Sequence, residues 1–366
     1  MQSKLVKGLA IVAVAAGVVT AAATRTHVTA AAPGAGAVMQ SIGPIAFGPD
    51  GTLFVADNKA ATIYALDLGA QASGAASGAA DVPGIDQKVA ATLGTDAGTV
   101  SVTDLAVHPK TRNAYLAVMR GAGADAKPAL LRVDGDGKVQ AIALDTVKFT
   151  SVALSNAPAA ADGRRNPRND AVTDMAFVGG KLIVAGLSNE EFASKLRSFA
   201  YPFAAADAGT SVEIFHGNHG QLETRAPVYT FIPYSIDGKP YVIASYTCTP
   251  LVRFPVESLK GSKVVGTTIA ELGAGNRPLD MILYKKDGKE YLLLSNNSRG
   301  VMKIPTADFG TAAGITAKVT TETGGIAYEK IASMQGIEQM DLLDAQRSIV
   351  LARAGTGLNL SAVALP

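Results

Sequence analysis

Few residues in this chain carry reactive chemistry, and three of them fall in two nearby stretches. The only cysteine, Cys248, lies in "ASYTCTPLVRF", and the chain has four histidines in 366 residues. Two of these, His216 and His219, lie upstream in "EIFHGNHGQLETRAP". A His-x-x-His pair on a turn brings two imidazoles together. A thiolate with two imidazoles is a donor set for copper or zinc. A methionine thioether, such as Met281 or Met302, would extend it. No CxxC or HExxH accompanies the spacing. The ordinary alternatives are a small buried thiol and two exposed loop imidazoles. A thiol–imidazole nucleophile is the other chemistry open to these types. It sits badly in an oxidising compartment, where a reactive thiol is irreversibly damaged.

The N-terminus points to such a compartment. In "MQSKLVKGLAIVAVAAGVVTAAATRTHVTA", Lys4 and Lys7 precede an apolar run from Gly8 to Thr20, and small residues follow. This is the pattern of a secretory signal peptide cleaved close after Ala21 or Ala23. Residues 1–23 are thus expected to be removed, leaving one domain over 24–366 that is periplasmic or secreted. The apolar run is shorter than the roughly 20 residues of a spanning helix, so no membrane span is expected in the mature chain. A single cysteine allows no internal disulfide, so stability must come from packing. With 17% charged residues and a net charge of +2, the chain lacks the basic footprint of a nucleic-acid binder. At 48% hydrophobic it is not a disordered chain. No G-x-S-x-G, Rossmann, P-loop or c-type haem pattern occurs, so neither a serine triad nor a nucleotide cofactor is expected.

One phrase recurs along the chain and supplies the frame. It reads "GPIAFGPDGTLFVADNKAATIYALDL" from Gly43, "TDLAVHPKTRNAYLAVMR" from Thr103 and "TDMAFVGGKLIVAGLSN" from Thr173. It returns as "YTFIPYSIDGKPYVIASYT", "LDMILYKKDGKEYLLLSNN" and "EQMDLLDAQRSIVLARA". Each copy is an apolar strand, a turn and a second strand rich in Val, Ile, Leu or Tyr. The anchors Ile45, Leu105, Met175, Phe231, Met281 and Met340 lie about 50 to 70 residues apart. Short strands at that period, with no 3.6-residue pattern, predict an all-β chain folded as a six-bladed β-propeller. The longest gap contains "VKFTSVALS", which leaves room for a seventh blade. The last copy ends one strand short, so N-terminal residues such as "THVTAAA" are expected to close the ring. The stretch 69–84 reads as a flexible linker within the first blade.

The first repeat, "GPIAFGPDGTLFVADNKAATIYALD", resembles the NHL and SMP-30/gluconolactonase-like group of propellers. The likeness extends more weakly over the other five repeats. It implies a six-bladed fold whose sites lie at one face, and a group that spans lactonases, other hydrolases, lyases and binding platforms. In the lactonases of that group a divalent cation is held at the channel mouth by carboxylate and amide oxygens. The matching residue types here are Asp104, Asp174, Asp280, Asn189 and Asn296, a set suited to calcium or magnesium. Residues 24–49 contain no glutamate, although those lactonases take a ligand from one near the mature N-terminus.

In a propeller, the segment before each innermost strand shares a face with the segment after each second strand. That rule gathers Asp104, Asp174, Arg225, Arg277 and Asp280 with Asn189, Cys248, Asn296 and Arg299. The insertion "SNAPAAADGRRNPRND" adds Arg164, Arg165 and Arg168, either a solvated loop or a docking site for an acidic partner or anion. Two functional readings follow. The first is a binding module that holds a metal, small molecule or protein at this face. The second is a metal-dependent enzyme there, either a copper or zinc oxidoreductase or a calcium-dependent hydrolase. Export itself is testable: mass spectrometry of the secreted chain should find its N-terminus just after Ala21 or Ala23, and an intact Met1 would refute cleavage.

Overall fold

The computed structural model describes residues 28–30, 36–72, 81–161, 166–205 and 207–366. The expected signal segment, residues 1–23, lies outside the described residues. The described chain forms six sheets in a ring, a six-bladed β-propeller, antiparallel throughout except where Lys263–Val265 joins Thr210–His216 in parallel.

The innermost strands are Ile45–Phe47, Val100–Val107, Asp174–Val178, Thr230–Ile236, Pro278–Lys286 and Ile337–Leu342. Each pairs with the strand that follows it. Local sequence dictates these hairpins. In "SIDGKP", Asp237 and Gly238 have φ of 50° and 75°, and in "KKDGKE", Asp287 and Gly288 have φ of 51° and 74°. Two consecutive positive φ values define the type I′ turn, whose twist matches that of the flanking strands. The hairpins therefore close at Ile236↔Lys239 and Lys286↔Lys289, and the apolar alternation is locked in register.

Packing between blades fixes their order, and it is not the order of the sequence. Leu53 and Val55 of the first blade pack with Tyr115 and Leu130 of the second. Phe54 and Val152, on the other side of the first blade, pack with Met175 and Val184 of the third. The second blade's Leu116 and Leu131 pack with Ile349 and Leu351 of the sixth. The ring therefore runs sixth, second, first, third, fourth, fifth. The cause is a threading of the chain. After three strands of the first blade, ending with Thr62–Asp67, the chain leaves to build the whole second blade. It then returns as Lys148–Ala153, the first blade's fourth strand.

Three expectations are corrected by this path. "VKFTSVALS" is not a seventh blade but that fourth strand. Val28–Ala30 does not complete the last blade; it pairs outside Lys148–Ala153 in the first. The stretch 69–84, whose residues 73–80 lie outside the described residues, is a connection from the first blade towards the sixth. There Val82 exchanges both backbone hydrogen bonds with Leu360 (2.7 and 3.1 Å). The helix Ile85–Leu93, between Gly84 and Gly94, seats Ile85 and Val89 against Leu358 and Leu360. The ring is thus closed by an inserted blade, not by pairing of the chain ends.

Buried carboxylates staple the inner strands. Asp104 accepts the Leu105 amide at 2.8 Å and the Ile45 amide of the neighbouring blade at 2.6 Å. Asp174 does the same with Met175 and Phe231, Asp280 with Met281 and Met340, and Asp341 with Leu342 and Val107. At Asp104 and Asp280 the register slips just before the residue, and such a bulge re-aims a side chain. These staples span the second–first, third–fourth, fifth–sixth and sixth–second joints. Asn58 bridges first to third, donating to the Val172 and Asn169 carbonyls and accepting the Val172 amide.

The carboxylates face a channel cavity of about 390 Å³. Desolvation pushes Asp174 up to about 7 and Asp341 to about 6. It also holds Asp104 and Asp280 well above the usual range, with repulsion from neighbouring channel carboxylates adding to it. An acid whose folded pKa is raised stabilises the fold below its unfolded value of roughly 4, and that contribution is lost as pH rises through the folded value. Calorimetry at constant ionic strength should therefore show the melting temperature falling between about pH 4 and pH 7. Asp174→Asn should melt lower throughout and show a shallower slope; an unchanged slope would contradict the assignment.

Candidate metal centre

Three strand ends at the top face, where the inner strands begin, bring the candidate residues together. Thr210–His216 is the fourth strand of the third blade, and a tight turn carries His219 before Gln221–Glu223 pairs back onto it. Cys248 lies at the corner between Lys239–Ser245 and Pro250–Pro255 in the fourth blade. Glu271 ends that blade's fourth strand, opposite Pro250.

His216, His219 and Cys248 place one ligand atom each within 4.8 Å of one another. They are the one such group of three or more among the described residues. Their orientation comes from Glu223. Its Oε2 lies 2.8 Å from His216 Nδ1, and its Oε1 lies 2.5 Å from His219 Nδ1. One carboxylate thus holds both rings, whose centroids are 4.0 Å apart. Neutral imidazoles donating from Nδ1 keep their Nε2 lone pairs free, the second-sphere arrangement of metal-binding histidines. His219 Nε2 is 3.9 Å from Cys248 Sγ. His216 Nε2 is 3.7 Å from Glu271 Oε2.

The electrostatics follow from burial. His216 is 1% exposed and Glu271 0%, whereas His219 is 45% exposed and forms the solvent side. Desolvation lowers the His216 pKa, so its neutral form is favoured. Burial would raise Glu223, but its hydrogen bonds with His219 and His216 hold it below the usual range. Desolvation pushes Glu271 up to about 7, against the backbone amides of Gly217 and Asn218.

Cys248 and Thr249 have φ of 64° and 50°, two successive non-glycine residues in the left-handed region. Such strain persists only where the surroundings impose it. Here the Cys248 amide donates to the Asn276 carbonyl at 2.7 Å, and the Thr249 hydroxyl bonds the Asn276 side chain. Asn296 Nδ2 donates to both Thr249 Oγ1 and Asn276 Oδ1 (2.9 and 3.0 Å), and all three residues are buried. This network also joins the fourth blade to the fifth, where no aspartate staple stands.

A strap from the fifth blade crosses the turn. The Val319 amide donates to the Gly217 carbonyl at 2.9 Å, and Gly324–Gly325 pairs with Ala270 and Glu271. A Cβ at residue 217 would stand 2.9 Å from Val319 and 3.0 Å from Glu271 Oε1. Glycine is required there for turn, strap and acid to meet.

The other candidates have other duties. Asp104, Asp174 and Asp280 spend both oxygens on backbone amides, and Asn296 turns its oxygen to the Ser298 and Arg299 amides. Asn189 is an exposed loop residue. These five do not form a hard-metal cage. Met281 and Met302 lie in the apolar cluster between the fourth and fifth blades. Arg168 donates to the Pro158 and Lys59 carbonyls, and Arg299 pairs with Glu322 at 2.7 Å. Arg277 stacks on Tyr229, with 5.4 Å to the ring centre, and lines a top-face cavity of about 450 Å³ with Glu338 and Arg353. Arg225 is exposed, and Arg164 and Arg165 lie outside the described residues.

Sequence reasoning missed Glu223, Glu271 and Asn276. Glu223 had a signal, since "HGNHGQLE" sets an acid four residues after His219. Glu271 had a fainter one, as the acid that ends the apolar strand "TTIAE".

No protein-family model and no curated protein sequence matches this chain. Among solved structures it is similar to the PQQ-bound form of an aldose sugar dehydrogenase from Streptomyces coelicolor. That likeness has 13% identity over 92% of this chain and 98% of that one, with a TM-score of 0.35. It is also similar to the apo form of a soluble aldose sugar dehydrogenase from Escherichia coli, at 12% identity over 93% and 100%, with a TM-score of 0.38. A third is a glucose dehydrogenase-type oxidoreductase from Thermus thermophilus, at 11% identity over 92% and 100%, with a TM-score of 0.34. These likenesses are too remote to bear on what this chain binds.

The corner network is directly testable. Asn276→Ala strands the Thr249 hydroxyl and the Asn296 amide, at about 1–3 kcal/mol for each buried group left unpaired. Urea unfolding should register that loss, and alkylation of Cys248 should become faster; an unaltered midpoint would show that the corner holds itself.

Proposed function

We propose that this chain is an exported metal-binding β-propeller that holds one transition-metal ion, copper or zinc, at the top face. The ligands are His216 Nε2, His219 Nε2 and Cys248 Sγ. On its first-repeat phrase we range it with the NHL and SMP-30-like propellers, but with a softer metal in a different place from their channel-mouth cation.

One observation carries this reading. Glu223 binds both imidazoles through Nδ1, so both Nε2 atoms are left free; that of His219 lies 3.9 Å from the cysteine sulfur, and the two histidines and the cysteine each place a ligand atom within 4.8 Å of the others. The arrangement fixes tautomer and ring orientation before any ion arrives, which is what an outer-sphere carboxylate does for metal affinity. A bound cation would hold Cys248 as its thiolate. That also answers how a lone thiol persists in an oxidising compartment: it is 9% exposed and, when metallated, unavailable for oxidation.

Elemental analysis of chain purified without a metal-chelating tag should find close to one equivalent of zinc or copper. Cys248→Ser and His219→Ala should each lose most of it, and Glu223→Gln should weaken binding by about 10–100-fold. A wild-type chain that is metal-free and fails to take up either ion on titration would overturn the proposal.

A further inference from the structure

Three ligands leave one coordination position to be accounted for, and the buried acid beside them is Glu271. Its Oε1 accepts the Gly217 amide at 2.5 Å. Its Oε2 has no hydrogen-bond partner, and neither has His216 Nε2, 3.7 Å away. With Nδ1–H directed at Glu223, both facing atoms are acceptors. Two buried lone pairs turned towards each other, at 0% and 1% exposure, call for a cation between them: a proton on Glu271, whose pKa burial pushes up to about 7, serves in the metal-free chain, and a metal ion would displace it.

We propose that Glu271 is a fourth ligand and that the site is a closed, four-coordinate centre for a divalent ion, linking the third blade to the fourth. The inference rests on the metal reading above. Bond lengths of about 2.0–2.1 Å to nitrogen or oxygen and about 2.3 Å to sulfur put tetrahedral ligand edges at about 3.3 Å for N···O and 3.6 Å for N···S. The observed separations are 3.7 Å for His216 to Glu271 and 3.9 Å for His219 to Cys248. These two of the six edges would each close by a few tenths of an ångström; Glu271 stands outside the group whose ligand atoms all lie within 4.8 Å of one another, so its carboxylate must swing in to complete the shell. Charge favours a divalent ion: the thiolate and carboxylate ligands supply two negative charges that it cancels, and Glu223, ionised behind the two rings, adds a further negative charge that favours a cation here. A monovalent ion would leave one ligand charge uncancelled. Zinc(II) meets the donor set, the charge and the four-coordinate geometry together. A closed shell has no position for substrate, so the ion acts as a fastening between blades and not as a Lewis acid.

Cobalt(II) titration of the full chain tests this, with absorbance as the readout. Wild type should show a thiolate-to-cobalt charge-transfer band and the intense ligand-field bands of four-coordination, neither shifted by azide. E271Q, whose amide oxygen can still accept from Gly217, should keep the thiolate band, become azide-sensitive and bind zinc at least about tenfold more weakly. If the wild-type bands already shift with azide, or E271Q matches wild type in affinity and spectrum, Glu271 is not a ligand and the three-residue site stands without it. If wild type gives no thiolate band, the metal reading and this inference fall together. The wild-type azide response needs no variant, so the closed shell is tested even if E271Q folds poorly.

Discussion

A carboxylate that accepts two backbone amides is the interaction on which this ring depends. Each inner strand exposes amides that no partner strand can reach, because neighbouring blades pack face to face and do not share a ladder. Asp104, Asp174, Asp280 and Asp341 each take one amide from their own strand and one from the next blade. A buried amide left without an acceptor is costly, so the acid at each staple is tied to the ring's geometry. The same logic isolates Glu271. It too is a buried carboxylate at a blade joint, but only one of its oxygens finds an amide. In the staples both oxygens are spent within the chain. At Glu271 the second faces a bare imidazole nitrogen, which sets the top-face site apart from the structural acids.

Closure of the ring shapes the rest. A propeller assembled in sequence order must join its last blade to its first through the chain ends. Here the chain builds three strands of one blade, makes a complete neighbour, and returns to finish the first. The inserted blade lies between first and sixth and meets both through apolar faces and an aspartate each. Val82 and the helix Ile85–Leu93 fasten the connection onto the sixth blade. The C-terminal strand Gly357–Ala364 is itself part of this joint, through Leu358 and Leu360.

The repeat was legible because each hairpin writes itself locally. Apolar alternation, a turn with residues suited to positive φ, and a second apolar strand recur at a steady period. The swapped blade order was not legible, because periodicity records that blades exist and not which blade touches which. "KFTSVA" reads equally well as the start of a blade or the edge of one, and only its pairing with Thr62–Asp67 decides. The helix was hidden for a related reason: nine residues are too few to establish a helical period against a background of strands.

The types of the reactive residues were determined by sequence alone: one thiol, a close imidazole pair, a shared top face, and a propeller to carry them. Tertiary structure decided which groups complete the site. Glu223 folds back through a short strand to hold both rings, Glu271 arrives from another blade's edge, and Asn276 props the cysteine corner from the loop before the fifth blade. Residue type and local period are properties of neighbours in the chain. Convergence of strand ends from different blades is a property of how sheets pack, and no spacing within one segment encodes it.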